Sequence, residues 1–112
     1  MRKSNIELNI SLDDQNVPEL ITWNASESPT GKPESTAAFA LAIWDANNHS
    51  TMKIDLWTKD MPMDEMKLFY IEAIGGMSES LLSATSDEYM YKEIKSLCEK
   101  LMLHLDNEFK KS

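Results

Sequence analysis

Apolar and polar residues alternate near the start of the chain. Between residues 6 and 12 every second side chain is aliphatic, and polar side chains stand between them. This two-residue period predicts a half-buried β-strand. The run "DDQN" that follows is rich in turn-forming residues. The next stretch, "LITWNA", lies just after Pro18 and predicts a second strand. We therefore expect an antiparallel hairpin at the start of the chain.

The stretch "STAAFALAIWDA", residues 35–46, is apolar on nearly every side. Pro33 precedes it and suits the first turn of a helix, where its missing N–H costs nothing. We expect a well-covered α-helix here, ended by "NNHS".

Alternation returns at "MKIDLW", residues 52–57. Aliphatic side chains at 52, 54 and 56 share one side, and Lys53, Asp55 and Trp57 share the other. This predicts a third strand whose charged side faces away from the core.

Carboxylates surround Pro62 at the start of the next apolar stretch. Asp60, Asp64 and Glu65 lie where side chains cap free N–H groups and meet the positive end of a helix dipole. A solvated face and helix capping explain these charges better than catalysis does.

A second helix is predicted from about Pro62 to Ala84, and it has two apolar sides. Leu68, Ile71 and Leu82 lie opposite the main stripe, with Gly75 among them. Either the last helix covers this second side, or it is a surface for a partner or a second copy.

Thr85 followed by Glu88 resembles a capping box and predicts the start of a third helix. The element order is then β-β-α-β-α-α over a single domain, residues 1–112. A right-handed crossover between the second and third strands gives an α+β fold: a three-stranded antiparallel sheet of order 2-1-3, with the helices on one face.

Composition narrows the function classes. The formal net charge of −8 argues against binding to nucleic acid or to an anionic membrane surface. No signal-like segment and no stretch of ~20 apolar residues is present. Cys98 is the single cysteine, so no internal disulfide is expected. We expect a cytoplasmic protein that does not insert into a membrane.

The sequence contains few residues that could form a catalytic or ligand-binding site. No glycine-rich phosphate loop occurs. His49 and His104 are far apart along the chain, and Cys98 is typical of a small packed residue. We therefore expect no catalytic residue, no cofactor and no metal site.

Spare apolar side chains favour a protein that acts by contact. The candidate interaction surface is Trp57, Met61, Leu68, Ile71, Leu82, Met102 and Leu103. Methionine is adaptable packing material and is common on binding surfaces, which favours Met61 and Met102 for this role.

Two blocks, "VPELITWNAS" (17–26) and "MKIDLWTKDMPMDEMKLFY" (52–70), resemble GldC, the gliding motility protein C family of Bacteroidetes. The resemblance runs over nearly the whole chain. It implies a small cytoplasmic accessory of gliding motility, without enzymatic activity, cofactor or catalytic residue.

These observations together predict an adaptor or assembly factor that binds a protein of the gliding machinery or the associated secretion machinery. A homodimer is left open. One alternative is a secretion-type chaperone that shields a client protein. A small-molecule-binding domain or enzyme, the third, would need a deep pocket with convergent polar groups.

Overall fold

A computed structural model describes residues 2–27 and 31–110, which form five β-strands followed by two α-helices. The strands are β1 (Ile6–Leu12), β2 (Pro18–Ala25), β3 (Glu34–Thr36), β4 (Ala38–Asp45) and β5 (Ser50–Trp57); the helices are α1 (Met63–Thr85) and α2 (Glu88–Lys110). The chain divides into two compact units, Met1–Met61 and Pro62–Ser112. The α+β class is confirmed, whereas the predicted order β-β-α-β-α-α is wrong. A single domain over residues 1–112 stays a prediction.

The predicted hairpin at the start of the chain is confirmed. β1 and β2 are antiparallel, with Ile6 opposite Ala25 and Ile10 opposite Ile21. β3 then pairs with the other edge of β2, which places Thr36 opposite Ile21. Ile21 lies on this middle strand and is fully buried. The side chain at the centre of the first sheet is therefore also the best shielded apolar group of the strand unit.

The helix predicted over residues 35–46 is wrong, because this stretch forms β3 and β4. Phe39, Leu41 and Ile43 alternate with alanines along β4, and each lies opposite an aliphatic residue of β5. These cross-strand pairs are Phe39–Leu56, Leu41–Ile54 and Ile43–Met52. Alanine is small and apolar, so a stretch in which it alternates with larger apolar residues has the same composition as a helix that is apolar on every side. Strand pairing with β5 overrides the helix preference of alanine.

The single sheet of order 2-1-3 is also wrong. β1, β2 and β3 form a three-stranded sheet in that order, and β4 and β5 form a separate two-stranded sheet. The predicted third strand exists as β5, but it pairs with β4 rather than with β1. The Thr58 N–H donates to Ala37 at 2.8 Å and extends the β4–β5 ladder by one pair. A backbone hydrogen bond joins the two sheets, because the Lys59 N–H, just after β5, donates to Pro18 of β2 at 3.0 Å.

Both predicted helices of the second half are present, but their caps differ from the prediction. Pro62 occupies the N-cap of α1 without a side-chain hydrogen bond, and the Asp64 carboxylate accepts the N–H of Glu65 at 2.9 Å. Asp87, rather than Thr85, caps α2, since its carboxylate accepts the Met90 N–H at 3.0 Å. Thr85 is the last residue of α1.

The connection between the helices is short. Ser86 is left-handed, with φ of 59°, and its N–H donates to the Leu82 carbonyl at 2.8 Å. This αL residue satisfies one of the free carbonyls at the end of α1 and reverses the chain. Short connections of this kind join antiparallel neighbouring helices, so α1 and α2 form a helical hairpin.

Candidate functional site

The seven residues of the predicted interaction surface fall in both units. Trp57 is 44% exposed at the end of β5, and Met61 is half-buried at the end of the strand unit. The other five lie on the helical hairpin: Leu68, Ile71 and Leu82 on α1, and Met102 and Leu103 on α2. The predicted surface therefore comprises two sets of residues, one in each unit.

On α1, Leu68, Ile71 and Leu82 are all half-buried. The carbonyl of Ile71 accepts a weak hydrogen bond from the Cys98 thiol, with 3.7 Å between oxygen and Sγ. A Cβ placed on Gly75 would lie 3.9 Å from the same sulfur atom. Ile71 and Gly75 therefore lie where α1 meets α2, and Ile71 contributes to helix pairing.

On α2, Leu103 is 62% exposed and Met102 is half-buried. Both line a shallow groove of about 460 Å³, together with Lys95, Cys98, Glu99 and Asp106. The floor is apolar and the rim carries both charge signs. Such a surface can take an apolar side chain of another protein while the rim stays hydrated.

A second groove, of about 240 Å³, lies between the helices and was missed from the sequence. It is lined by Lys67, Tyr70, Ile71, Ile74, Leu101, His104 and Leu105. Apolar stripes on both helices were visible in the sequence, but which stripes meet depends on how the helices pair. Tyr70 and Ile74 therefore had no separate signal.

Lys67 and His104 line this second groove, and both contact the carboxylate of Glu108. The Lys67 ammonium lies 3.1 and 2.9 Å from the two carboxylate oxygens of Glu108. His104 Nε2 lies 2.7 Å from one of the same oxygens. Hydrogen bonding from Lys67, and then the charges of Lys67 and His104, hold the pKa of Glu108 below its usual value of 4.5. The carboxylate is already paired, so its role here is to join the helices.

Another polar cluster surrounds the turn after β1. Asp13 accepts the backbone N–H groups of Gln15 at 2.8 Å and Val17 at 3.0 Å, and its other oxygen accepts from Lys59 at 3.1 Å. The Val17 and Gln15 N–H groups, followed by Lys59, lower the pKa of Asp13. The bond to Asp13 raises the pKa of Lys59. These groups close a turn, and Asn16 completes it with a left-handed φ of 62°.

Each histidine has a neighbour within its own unit. His49 sits in the β4–β5 turn, with its ring 6.5 Å from that of Trp44, and His104 is an exposed partner of Glu108. Within residues 2–27 and 31–110, no three side chains of His, Cys, Asp or Glu come together as metal ligands. The arrangement of these groups supports hydrogen bonding within the fold and contact at its surface.

Neither helix of the described chain has the length and apolar character needed to cross a membrane. Comparison with curated proteins and with solved structures gave no match. Comparison with protein families gave a match over residues 18–107, to the family described as gliding motility-associated protein GldC-like. This is not a known enzyme family. The match covers β2 to nearly the end of α2, and the chain belongs to the GldC-like family of gliding motility-associated proteins.

Proposed function

We propose that this protein is a non-enzymatic accessory of gliding motility that works in the cytoplasm by binding another protein. Its partner is a component of the gliding or associated secretion machinery. The observation that carries the proposal is Leu103, a large aliphatic side chain that is 62% exposed beside an apolar groove. Family membership supplies the biological process.

The groove beside Leu103 suits one recognition mode in particular. An amphipathic helix can lay its apolar side chains into a groove of this kind, with Met102 and Leu103 as contacts. Lys95, Glu99 and Asp106 stand around the groove and favour a partner with complementary charges at its edge. Because the whole chain carries a net charge of −8, a basic partner would associate faster.

The remaining predicted residues have different parts in this proposal. Trp57 is 44% exposed and Met61 is half-buried, so both keep surface with which a second contact could form. Leu68 and Leu82 are half-buried, and Ile71 lies at the α1–α2 contact. A charged substitution at Ile71 would disturb the helical hairpin itself. Leu103 is therefore the better position for a test.

The test is affinity capture with the full chain as bait in lysate of a gliding bacterium. We expect Leu103→Glu to lose a machinery component that the parent chain captures. Tyr89→Glu is the matched control, since Tyr89 is also on α2 and exposed, and it should retain the component. Both variants should keep the helical circular dichroism signal. Retention by Leu103→Glu would overturn this surface, and capture of no machinery component by the parent chain would overturn the function.

The second groove favours one alternative, a secretion-type chaperone. Its lining of Tyr70, Ile74 and Leu101 is apolar, as needed to shield a client segment. Such a chaperone would bind unfolded peptides of one client, which a peptide array would reveal. This groove is smaller than the ~300–1,000 Å³ typical of small-molecule sites, and the larger Leu103 groove is shallow, so ligand binding is not proposed.

A further inference from the structure

β4 has one edge that pairs with β5 and one that pairs with no other strand of residues 2–27 and 31–110. The hydrogen bond from the Thr58 N–H to Ala37 sets the phase of the β4–β5 ladder. In an antiparallel pair, residues whose N–H and C=O groups point to the partner strand alternate with residues whose groups point away. By this alternation Ala40, Ala42 and Trp44 direct their backbone groups to the free edge.

This edge lacks the usual protection against pairing with another chain. Residues 38–44 contain no charge and no proline, and their register with β5 runs without a bulge. β5 differs, because Lys53 and Asp55 form an ion pair of 3.6 Å on its polar side. Exposed strand edges in stable proteins usually carry charges, proline or a bulge. β4 instead presents an open row of donors and acceptors.

We infer that β4 pairs with β4 of a second copy, antiparallel, about a two-fold axis at Ala42. This register uses the free backbone groups of Ala40, Ala42 and Trp44. It leaves out Ala38, whose N–H already lies 3.5 Å from the Thr36 hydroxyl. The result is a continuous four-stranded sheet, with the two β4 strands at its centre.

The side chains of β4 complement one another in this register. Trp44, which is 62% exposed, lies across from Ala40 of the second copy, so a large ring meets a small side chain. On the opposite face, Leu41 and Ile43, 39% and 50% exposed, lie across from Ile43 and Leu41 of the second copy. Aliphatic cross-strand pairs of this kind stabilise antiparallel sheets.

Charge also favours a second copy of this chain as the partner of the β4 edge. Two copies of a chain with net charge −8 repel each other over most of their surfaces. Residues 38–44 are uncharged, so the two strands can approach here without placing acidic groups opposite each other. Two-fold dimers with self-complementary interfaces are also the commonest oligomers. This inference shares no residue with the Leu103 groove and does not depend on the proposed function.

The test is the mass of the full chain in solution, measured by light scattering and sedimentation. We expect twice the chain mass of 12.8 kDa at ~100 µM, within the range where weak specific dimers form. Ala42→Pro should give a monomer, because the proline removes an edge N–H without breaking the β4–β5 ladder. Lys53→Pro is the matched control, since Lys53 lies directly opposite Ala42, and it should stay dimeric.

A second pair of variants covers the case in which proline unfolds the hairpin. Ala42→Lys would place two like charges on the two-fold axis and should raise the dimer dissociation constant at least ~tenfold. Thr51→Lys, on the edge of β5, should leave the constant unchanged. A monomeric parent chain would overturn the inference and would mean that this edge is free or covered within its own chain. A dimer unaffected by either Ala42 variant would also overturn it.

Discussion

Lys67 and Glu108 join the two helices of the hairpin through two hydrogen bonds, with Nζ 3.1 and 2.9 Å from the carboxylate oxygens. Lys67 lies near the start of α1 and Glu108 near the end of α2. The bond therefore fastens the open end of the hairpin, opposite the Ser86 turn. His104 approaches the same carboxylate from within α2.

The first prediction concerns acid stability. Folding lowers the pKa of Glu108 below its ordinary value of 4.5, so the folded state binds this proton less readily than the unfolded chain. The contribution of Glu108 is therefore fully present above pH 4.5 and is lost as the pH falls through the lowered value. Urea unfolding of the parent chain between pH 6 and 3 should show this loss. In Glu108→Gln the free energy of unfolding should decrease less over the same pH range. Equal slopes for the two proteins would contradict the prediction.

The second prediction concerns Gly75 and Gly76 in α1. A Cβ on Gly75 would meet Cys98 Sγ at 3.9 Å, an ordinary contact, and a Cβ on Gly76 would meet nothing within 4 Å. Alanine should fit at both positions and raise the free energy of unfolding by about 0.5–1 kcal/mol, because glycine is a poor helix former.

Substitution by leucine should have different effects at Gly75 and Gly76. Gly76→Leu should retain most of this gain, whereas Gly75→Leu should lower the free energy of unfolding because the larger side chain overlaps Cys98. Thermal and urea unfolding, followed by helical circular dichroism, measure both effects. Equal responses at the two positions would show that the helices do not approach each other at Gly75.

The third prediction concerns the centre of the first sheet. Ile21 is fully buried, and its neighbour Leu20 on the other side of β2 is exposed. Ile21→Ala should cost about 2–5 kcal/mol, the range for deleting a large aliphatic core side chain. Leu20→Ala is the matched control and should cost far less. Chemical denaturation of both variants provides the comparison, and a small effect at Ile21 would refute its assignment to the core.

The fourth prediction concerns the turn after β1. Asp13→Asn should lower the melting temperature, because it removes the charge that accepts two backbone N–H groups and pairs with Lys59. Asp14→Asn provides the control beside it, since Asp14 is exposed and shares none of these three bonds. The loss at Asp13 should fade as the pH falls from 3.8 through the lowered pKa of the folded carboxylate, because the side chain of the parent chain then also becomes neutral. Equal melting temperatures would show that the turn does not need Asp13.

Local patterns were sufficient for five elements. β1, β2 and β5 were recognised by alternation, and the two helices of the second half by their apolar stripes and by turn signals. Strand pairing was recognised only for β1 and β2, where a short turn makes the partner obvious. β4 was missed because alanine occupies every second position beside Phe39, Leu41 and Ile43. Its true neighbour, β5, was predicted as a strand but assigned to another sheet.

For the candidate surfaces too, features of one helix could be predicted and features that need two helices could not. Leu103 was recognised as a solvent-facing residue, because one helix alone fixes which side it occupies. The groove around Tyr70 and Ile74 was not, because it exists only once two helices meet. Asp87 was overlooked as a cap since Thr85 and Glu88 offered the more familiar pattern. The groove depends on a second element, whereas the Asp87 cap is a local feature for which the sequence offers two competing patterns.

The left-handed turn at Ser86 has a practical consequence for labelling. The chain enters its helical hairpin at Met63 and leaves it at Lys110, and two residues separate the helices at the far end. Each helix has 23 residues and so spans ~35 Å at ~1.5 Å per residue. A fluorescent tag attached after Lys110 would emerge beside the start of α1, about one helix length from the Ser86 tip. A second dye at Met63 would report when the hairpin opens, because opening about the Ser86 turn moves the start of α1 away from the end of α2.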